Sequence, residues 1–233
     1  MLQIGNNGAN LLTGSSGDDT LRGLPGDDTL LGRQGNDRIF GGFGDDLIRA
    51  GAGDDVVVAG PDNDTVYGGR GRDSILGREG DDLLYGGADN DLLRAGEGRD
   101  SLFGGSGDDR LFGDSGDDVL RGGSGDDSLT GGAGEDTLTG GTGADEFIIN
   151  SLSEGVDTIL DFNFIEGDKV IIDASGFDNA QISQFFAEYD VQAGSATLFF
   201  TLSSDAPGVE VAEFQNLSDP FIDFIPFLDI TLV

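Results

Sequence analysis

The sequence predicts an all-β fold: a parallel β-solenoid of about eight two-phrase coils, closed by a C-terminal β-rich cap. Three observations predict it. A nine-residue phrase recurs sixteen times from Gly5 to Ile148 without an insertion. Its eighth place is always Leu, Ile, Val or Phe, and its sixth place is Asp in every phrase but the first. The chain has 42 Gly among 233 residues and a formal net charge of −33. Unpatterned, such a composition would favour disorder, but a disordered chain has no reason to hold a strict register.

The first region, 1–148, contains phrases such as GLPGDDTLL (23–31), GGSGDDRLF (104–112) and GGSGDDSLT (122–130). Glycines at the first, second and fourth places let the backbone turn through φ > 0 and approach an ion closely. Where the fourth place is not Gly it is Asp62 or Asp89, a residue type that tolerates the left-handed region. The seventh to ninth places read as a short strand, with the central side chain inward and its neighbours outward. Leu21, Leu30, Ile39 and their successors are therefore the predicted core. One phrase supplies a turn and a strand, so two phrases make one coil. Eight coils at about 4.8 Å per step give a rod roughly 38 Å long, each coil burying its apolar side chains only against its neighbours.

Stacking places the sixth-place residues in two columns, one along each edge. They are Asp19, Asp28, Asp37, Asp46, Asp55, Asp64, Asp73, Asp82, Asp91, Asp100, Asp109, Asp118, Asp127, Asp136 and Asp145, with Asn10 in the first phrase. Carboxylates about 5 Å apart repel by roughly 3 kcal/mol at an effective dielectric of 20. A hard divalent cation between successive turns converts that repulsion into binding. Carboxylate and carbonyl oxygens suit calcium, whereas magnesium dehydrates reluctantly and demands a stricter octahedron.

The phrase resembles the GGxGxDxUx nonapeptide of RTX (repeats-in-toxin) proteins, a calcium-binding parallel β-roll signature. The resemblance implies an ion between each turn and the turn eighteen residues on. Its ligands would be both sixth-place Asp residues and backbone carbonyls of the Gly-rich turns. Asp109 and Asp127 would then share one ion, Asp118 and Asp136 another, with up to about fourteen sites in all. A site using Asn10 is doubtful, because a neutral amide stands in for a carboxylate. The following stretch, 149–177, is similar to the segment after the last repeats of secreted RTX proteins. Asp157, Ile159, Asp161, Phe162, Asp168 and Lys169 carry the match. It implies one or two more coils, with Asp161 a doubtful ligand of a terminal site. From 178 to 233 the chain becomes Phe-rich and Gly-poor. There AQISQFFAEYD reads as a short helix, while SATLFFTLS, GVEVAEF and FLDITLV read as strands. This region is the expected cap, and the resemblance adds an uncleaved type I secretion signal.

Composition excludes much else. With no His and no Cys, disulfides, thiolate nucleophiles and most zinc chemistry are absent. The strong negative charge disfavours nucleic acid and anionic membranes, and no apolar run approaches the roughly 20 residues of a membrane span. The N-terminus lacks a basic region and long apolar stretch, so no cleavable signal peptide is expected. No GxSxG elbow occurs, and repeats beginning at Gly5 leave no room for a catalytic domain. The expectation is a non-enzymatic, secreted, extracellular calcium module that meets the type I secretion machinery. The alternatives are an adhesion or surface-layer module, suggested by outward ladders such as Tyr67, Tyr85 and Phe103, or the calcium-binding fragment of a larger secreted enzyme or toxin. Ice binding would need a regular Thr or Asn array, and the third places lack one.

Overall fold

The computed structural model describes residues 1–150, 155–163 and 165–172, together with the backbone of four later strands at 184–190, 195–201, 209–215 and 230–232. After two short strands, β1 (Leu2–Ile4) and β2 (Leu11–Thr13), fourteen six-residue strands begin at nine-residue intervals, from β3 (Thr20–Pro25) to β16 (Thr137–Thr142). Odd-numbered strands form one sheet and even-numbered strands the other, so the chain alternates between sheets at every phrase. Within a sheet the pairing is parallel and stepped by eighteen residues: Leu84 lies beside Leu102 and Tyr85 beside Phe103. The predicted parallel solenoid is therefore present.

The strands are longer than the three residues expected. They run from the seventh place through the third place of the following phrase, because the paired glycines there stay in the ladder, as Gly87 does beside Gly105. Positive φ falls on the second and fourth places, for example Gly42 (φ 134) and Gly44 (φ 108), and not on the first. First-place glycines serve close approach instead. A methyl built on Gly23 would collide with the Asp28 carboxylate and the Gly41 carbonyl.

Between the sheets the eighth-place side chains, one row from each sheet, make one core from Leu12 through Leu21, Leu30 and Ile39 to Leu138 and Phe147, almost all fully buried. The core continues with Ile159, Phe162 and Val170. Strand β17 (Glu146–Ile149) pairs in parallel with β19 (Lys169–Ile172), and β16 with β18 (Asp157–Ile159), so each sheet gains a further parallel strand there.

The segment expected to be a helix is instead strand β20 (Gln184–Asp190) over its described part. It pairs antiparallel with β21 (Ser195–Thr201), Phe185 opposite Phe200, and β21 pairs with β22 (Val209–Gln215). Aromatic residues such as Phe185 and Phe186 have high strand propensity, and backbone pairing with β21 overrides the weak helical pattern. Strand β23 (Ile230–Leu232) adds to the other sheet beside β19. The remainder of the predicted cap and secretion segment lies outside the described residues. No helix among the described residues is long and apolar enough to cross a membrane.

Candidate metal centres

Each sixth-place Asp ends a turn and begins a strand. Its carbonyl accepts from the seventh-place N–H of the next coil, as Asp19 does from Arg38 at 2.9 Å. Its own N–H donates to Oδ1 of the Asp eighteen residues later, at 2.6–2.9 Å from Asp19→Asp37 through Asp127→Asp145. The structure thus brings the predicted residues together in two columns. One runs Asp19, Asp37, Asp55, Asp73, Asp91, Asp109, Asp127, Asp145; the other runs Asp28, Asp46, Asp64, Asp82, Asp100, Asp118, Asp136.

Every one of these side chains is at most 3% exposed. Oδ1 is fixed by the N–H bond, yet Oδ2 of each Asp from Asp28 to Asp145 is buried without a hydrogen-bond partner. Leaving a charged acceptor so placed costs several kcal/mol, so the repeated orphan oxygen demands a counter-charge. From Asp37 onward burial is the main force on these groups, with neighbouring carboxylates adding to it. It pushes Asp64, Asp73 and Asp118 up to about 8, Asp46, Asp82, Asp91 and Asp127 up to about 7, and Asp55, Asp100, Asp109 and Asp145 up to about 6.

The space beside most of the orphan oxygens is kept open by a first-place glycine, with Ala50, Ala59 and Ala95 in that place beside Asp55, Asp64 and Asp100. Methyls built on Gly23, Gly41, Gly77 or Gly113 would meet both a sixth-place Oδ2 and a first-place carbonyl oxygen of the next coil. A buried, unpartnered carboxylate oxygen facing a carbonyl across an open cradle is a donor set that fits a hard, oxygen-loving cation. Among the described residues no three carboxylates form one metal-holding cluster. Each step offers two, so backbone carbonyls must complete any coordination.

The ends of the columns differ from the middle. Asn10 donates its side-chain amide to Asp28 Oδ1 at 2.7 Å, as a neutral stand-in would. Asp19 is held by the Met1 ammonium, whose hydrogen bond, aided by the Ser15 N–H, brings its carboxyl down to about 2. At the other end Asp161 accepts from the N–H groups of Gly140 (2.9 Å) and Gly141 (2.8 Å), apart from the sixth-place column. The column positions are taken by Asp157, which accepts from Asp136 N–H at 3.3 Å, and Asp168, which accepts from Asp145 N–H at 3.0 Å. Sequence reasoning had noted both only as motif matches. Their spacings of 21 and 23 residues break the nine-residue register, and only the Asp-x-Ile pattern of a strand start could have signalled Asp157. Asp168 Oδ2 is also bonded, to Asn163 N–H at 2.7 Å.

A second column lies outside the first. Fifth-place side chains accept from the coil that follows, as Asp18 Oδ1 does from Asn36 N–H at 2.8 Å and Asp108 Oδ1 from Asp126 N–H at 3.1 Å. These groups are exposed, and Asn36 and Asn63 play the same part.

The family model for the RTX calcium-binding nonapeptide repeat matches residues 4–39, 32–66, 58–93, 85–120 and 112–147. Among solved structures, the AlgE6R3 subunit from the Azotobacter vinelandii mannuronan C5-epimerase is similar at 25% identity, over 67% of this chain and 71% of that chain, with a TM-score of 0.30. Among curated proteins none matches.

Proposed function

Because the chain belongs to the family of RTX calcium-binding nonapeptide repeat proteins, we propose that it is a secreted module whose roll folds as calcium fills the steps between its turns. The observation that most supports the reading is the column of buried, unpartnered Oδ2 atoms from Asp28 to Asp145. The residues that would hold the ions are the successive pairs of each column, among them Asp55 with Asp73, Asp109 with Asp127 and Asp118 with Asp136, completed by turn carbonyls. Bound calcium supplies the positive charge that lets neighbouring carboxylates stay ionised and buried.

The chain's own contribution is preorganisation. The backbone N–H of each coil fixes Oδ1 of the next, so every coil added to the roll aims its Oδ2 at the step an ion would fill, and a first-place glycine keeps most of these steps clear. With a dissociation constant near 10⁻⁴ M and external calcium near 10⁻³ M, each site contributes about 1.4 kcal/mol to folding. At submicromolar cytosolic calcium the same contribution almost vanishes. The chain would therefore cross the type I secretion machinery unfolded and become a rod outside the cell. About fourteen ions would reduce the charge of −33 to about −5, easing self-repulsion along the edges. The role is binding and architecture, with no reaction assigned.

Far-ultraviolet circular dichroism with and without a chelator tests the proposal, with calorimetry counting the ions. A β-signal that depends on calcium is expected; one unchanged by the chelator at neutral pH overturns it.

A further inference from the structure

The calcium steps are not equivalent along the roll. We infer that its middle, residues 50–103, is held by contacts that need no ion and keeps its fold at calcium concentrations too low for the coils on either side. The inference rests on the calcium reading above and concerns how that binding is distributed.

Four departures from the phrase coincide in this stretch. Ala50, Ala59 and Ala95 replace the first-place glycine, each with its methyl buried. These methyls stand where a Cβ on the corresponding glycines would meet the sixth-place carboxylate, so the cradles beside Asp55, Asp64 and Asp100 are partly filled. Arg72 and Arg99 replace the fifth-place acid. Each guanidinium donates through Nη2, at 3.2 Å, to the acid eighteen residues earlier, Asp54 and Asp81 respectively. A covalently fixed cation thus bridges neighbouring coils, once on each edge.

Asp62 and Asp89 replace the fourth-place glycine, with φ 81° and 75°. Their Oδ2 atoms accept from the N–H groups of Gly44 (2.9 Å) and Gly71 (3.2 Å), adding bonds between coils that a glycine cannot make. Finally, Tyr67, Tyr85 and Phe103 stack along the outer face of the even-numbered sheet. Their centroids are 4.8 Å apart at each step, with interplanar angles of 2° and 13°. Arg49 lies 5.5 Å from the Tyr67 ring centroid and Arg121 lies 5.8 Å from that of Phe103, so a guanidinium closes the stack at each end. Exposed ion pairs are individually weak, and stacked rings contribute more. The stack is therefore the main substitute for calcium.

The flanks lack this combination. Phrases 14–49 and 104–148 carry Gly at every first and fourth place and no Arg at the fifth. At the ninth places of the C-terminal flank the even-numbered sheet passes from Arg121 to Thr139, which cannot continue a π-stack.

Hydrogen–deuterium exchange on the full chain, read by mass spectrometry across a calcium titration at pH 7.5, tests this. Strands from 65 to 103 should gain protection at a calcium concentration about fivefold lower than strands 20–43 and 119–142, the ratio that one aromatic pair supplies. In Tyr85→Ser, whose side chain faces outward and leaves the core intact, the middle should lose that advantage. Arg72→Asp with Arg99→Asp, which restores the acidic phrase, should shift the middle in the same direction by a smaller factor. A single midpoint shared by all strands overturns the inference while leaving calcium-dependent folding intact. A lower midpoint that survives both variants also overturns it, because the named contacts are then not its cause. Equal protection with calcium and with chelator in every strand overturns the calcium reading itself.

Discussion

Replacing Asp73 by Asn should have opposite effects with and without calcium. Asp73 sits in mid-column. Its Oδ1 accepts from Asp55 N–H at 2.9 Å, its own N–H donates to Asp91 Oδ1 at 2.8 Å, and its Oδ2 has no partner. Asparagine keeps the shape and the Oδ1 acceptor, so the backbone ladder survives and only the charge is lost. In calcium the variant weakens two steps, Asp55–Asp73 and Asp73–Asp91. At about 1.4 kcal/mol per site this is a loss of about 3 kcal/mol. For a domain of this size it lowers Tm by roughly 6–12 °C. In chelator the substitution removes a buried orphan oxygen that costs about 1–3 kcal/mol when charged, so there the variant should be the more stable form. The assay is thermal melting by circular dichroism at 1 mM calcium, paired with the pH midpoint of β-signal in chelator. A variant destabilised in both conditions, or unchanged in calcium, would refute the reasoning, because the carboxylate would then be a structural acceptor and not half of a cation pair.

Acidification should replace calcium in part. Sixth-place carboxyls in the middle of the columns are pushed up by burial, to about 8 at Asp64, Asp73 and Asp118. The folded chain therefore binds protons that the unfolded chain has released. This stabilisation is fully present below the ordinary carboxyl value of 3.8 and is lost as pH rises through about 6 to 8. In chelator, β-signal should be present near pH 4 and fade toward pH 8; a flat profile would contradict the burial of ionisable columns. Leu84→Ala, in the fully buried core, should cost about 3 kcal/mol in saturating calcium by urea unfolding, and a cost below about 1 would show that the coil collapses around the void. Gly42→Ala places a methyl against the Leu24 carbonyl at φ 134° and should cost roughly 2 kcal/mol or more. Gly17→Ala, with nothing within 4 Å, should stay within about 0.5 kcal/mol of the parent.

The repeat region was legible because its period joins two requirements. Leu21, Leu30 and Ile39 recur where an inward side chain is needed, and Asp19, Asp28 and Asp37 where a turn closes, so register, core and column follow from counting. Strand length was less legible. Glycine pairs such as Gly86 and Gly87 signal a turn locally, and only the pairing of Gly87 with Gly105 on the neighbouring coil keeps the chain in the ladder. The end of the roll defeated counting. Asp157 and Asp168 reach the column after insertions that change the spacing, and nothing in the phrase says how much chain a longer turn absorbs. Gln184–Asp190 was misread because its residues suit helix and strand alike, and the choice is made by the strand Ser195–Thr201 opposite.

The two opposed side-chain ladders, sixth-place groups reaching back one coil and fifth-place groups reaching forward, repeat one pattern of junction through the coils on either side of residues 50–103. Removing or duplicating eighteen residues within those coils keeps the pattern of the junctions and alters length. Removing nine would transfer everything downstream to the opposite face, and between Tyr67 and Phe103 it would split their row. Genetic exchange within such a gene can therefore tune reach in whole coils, and half-coil errors are the ones selection would see.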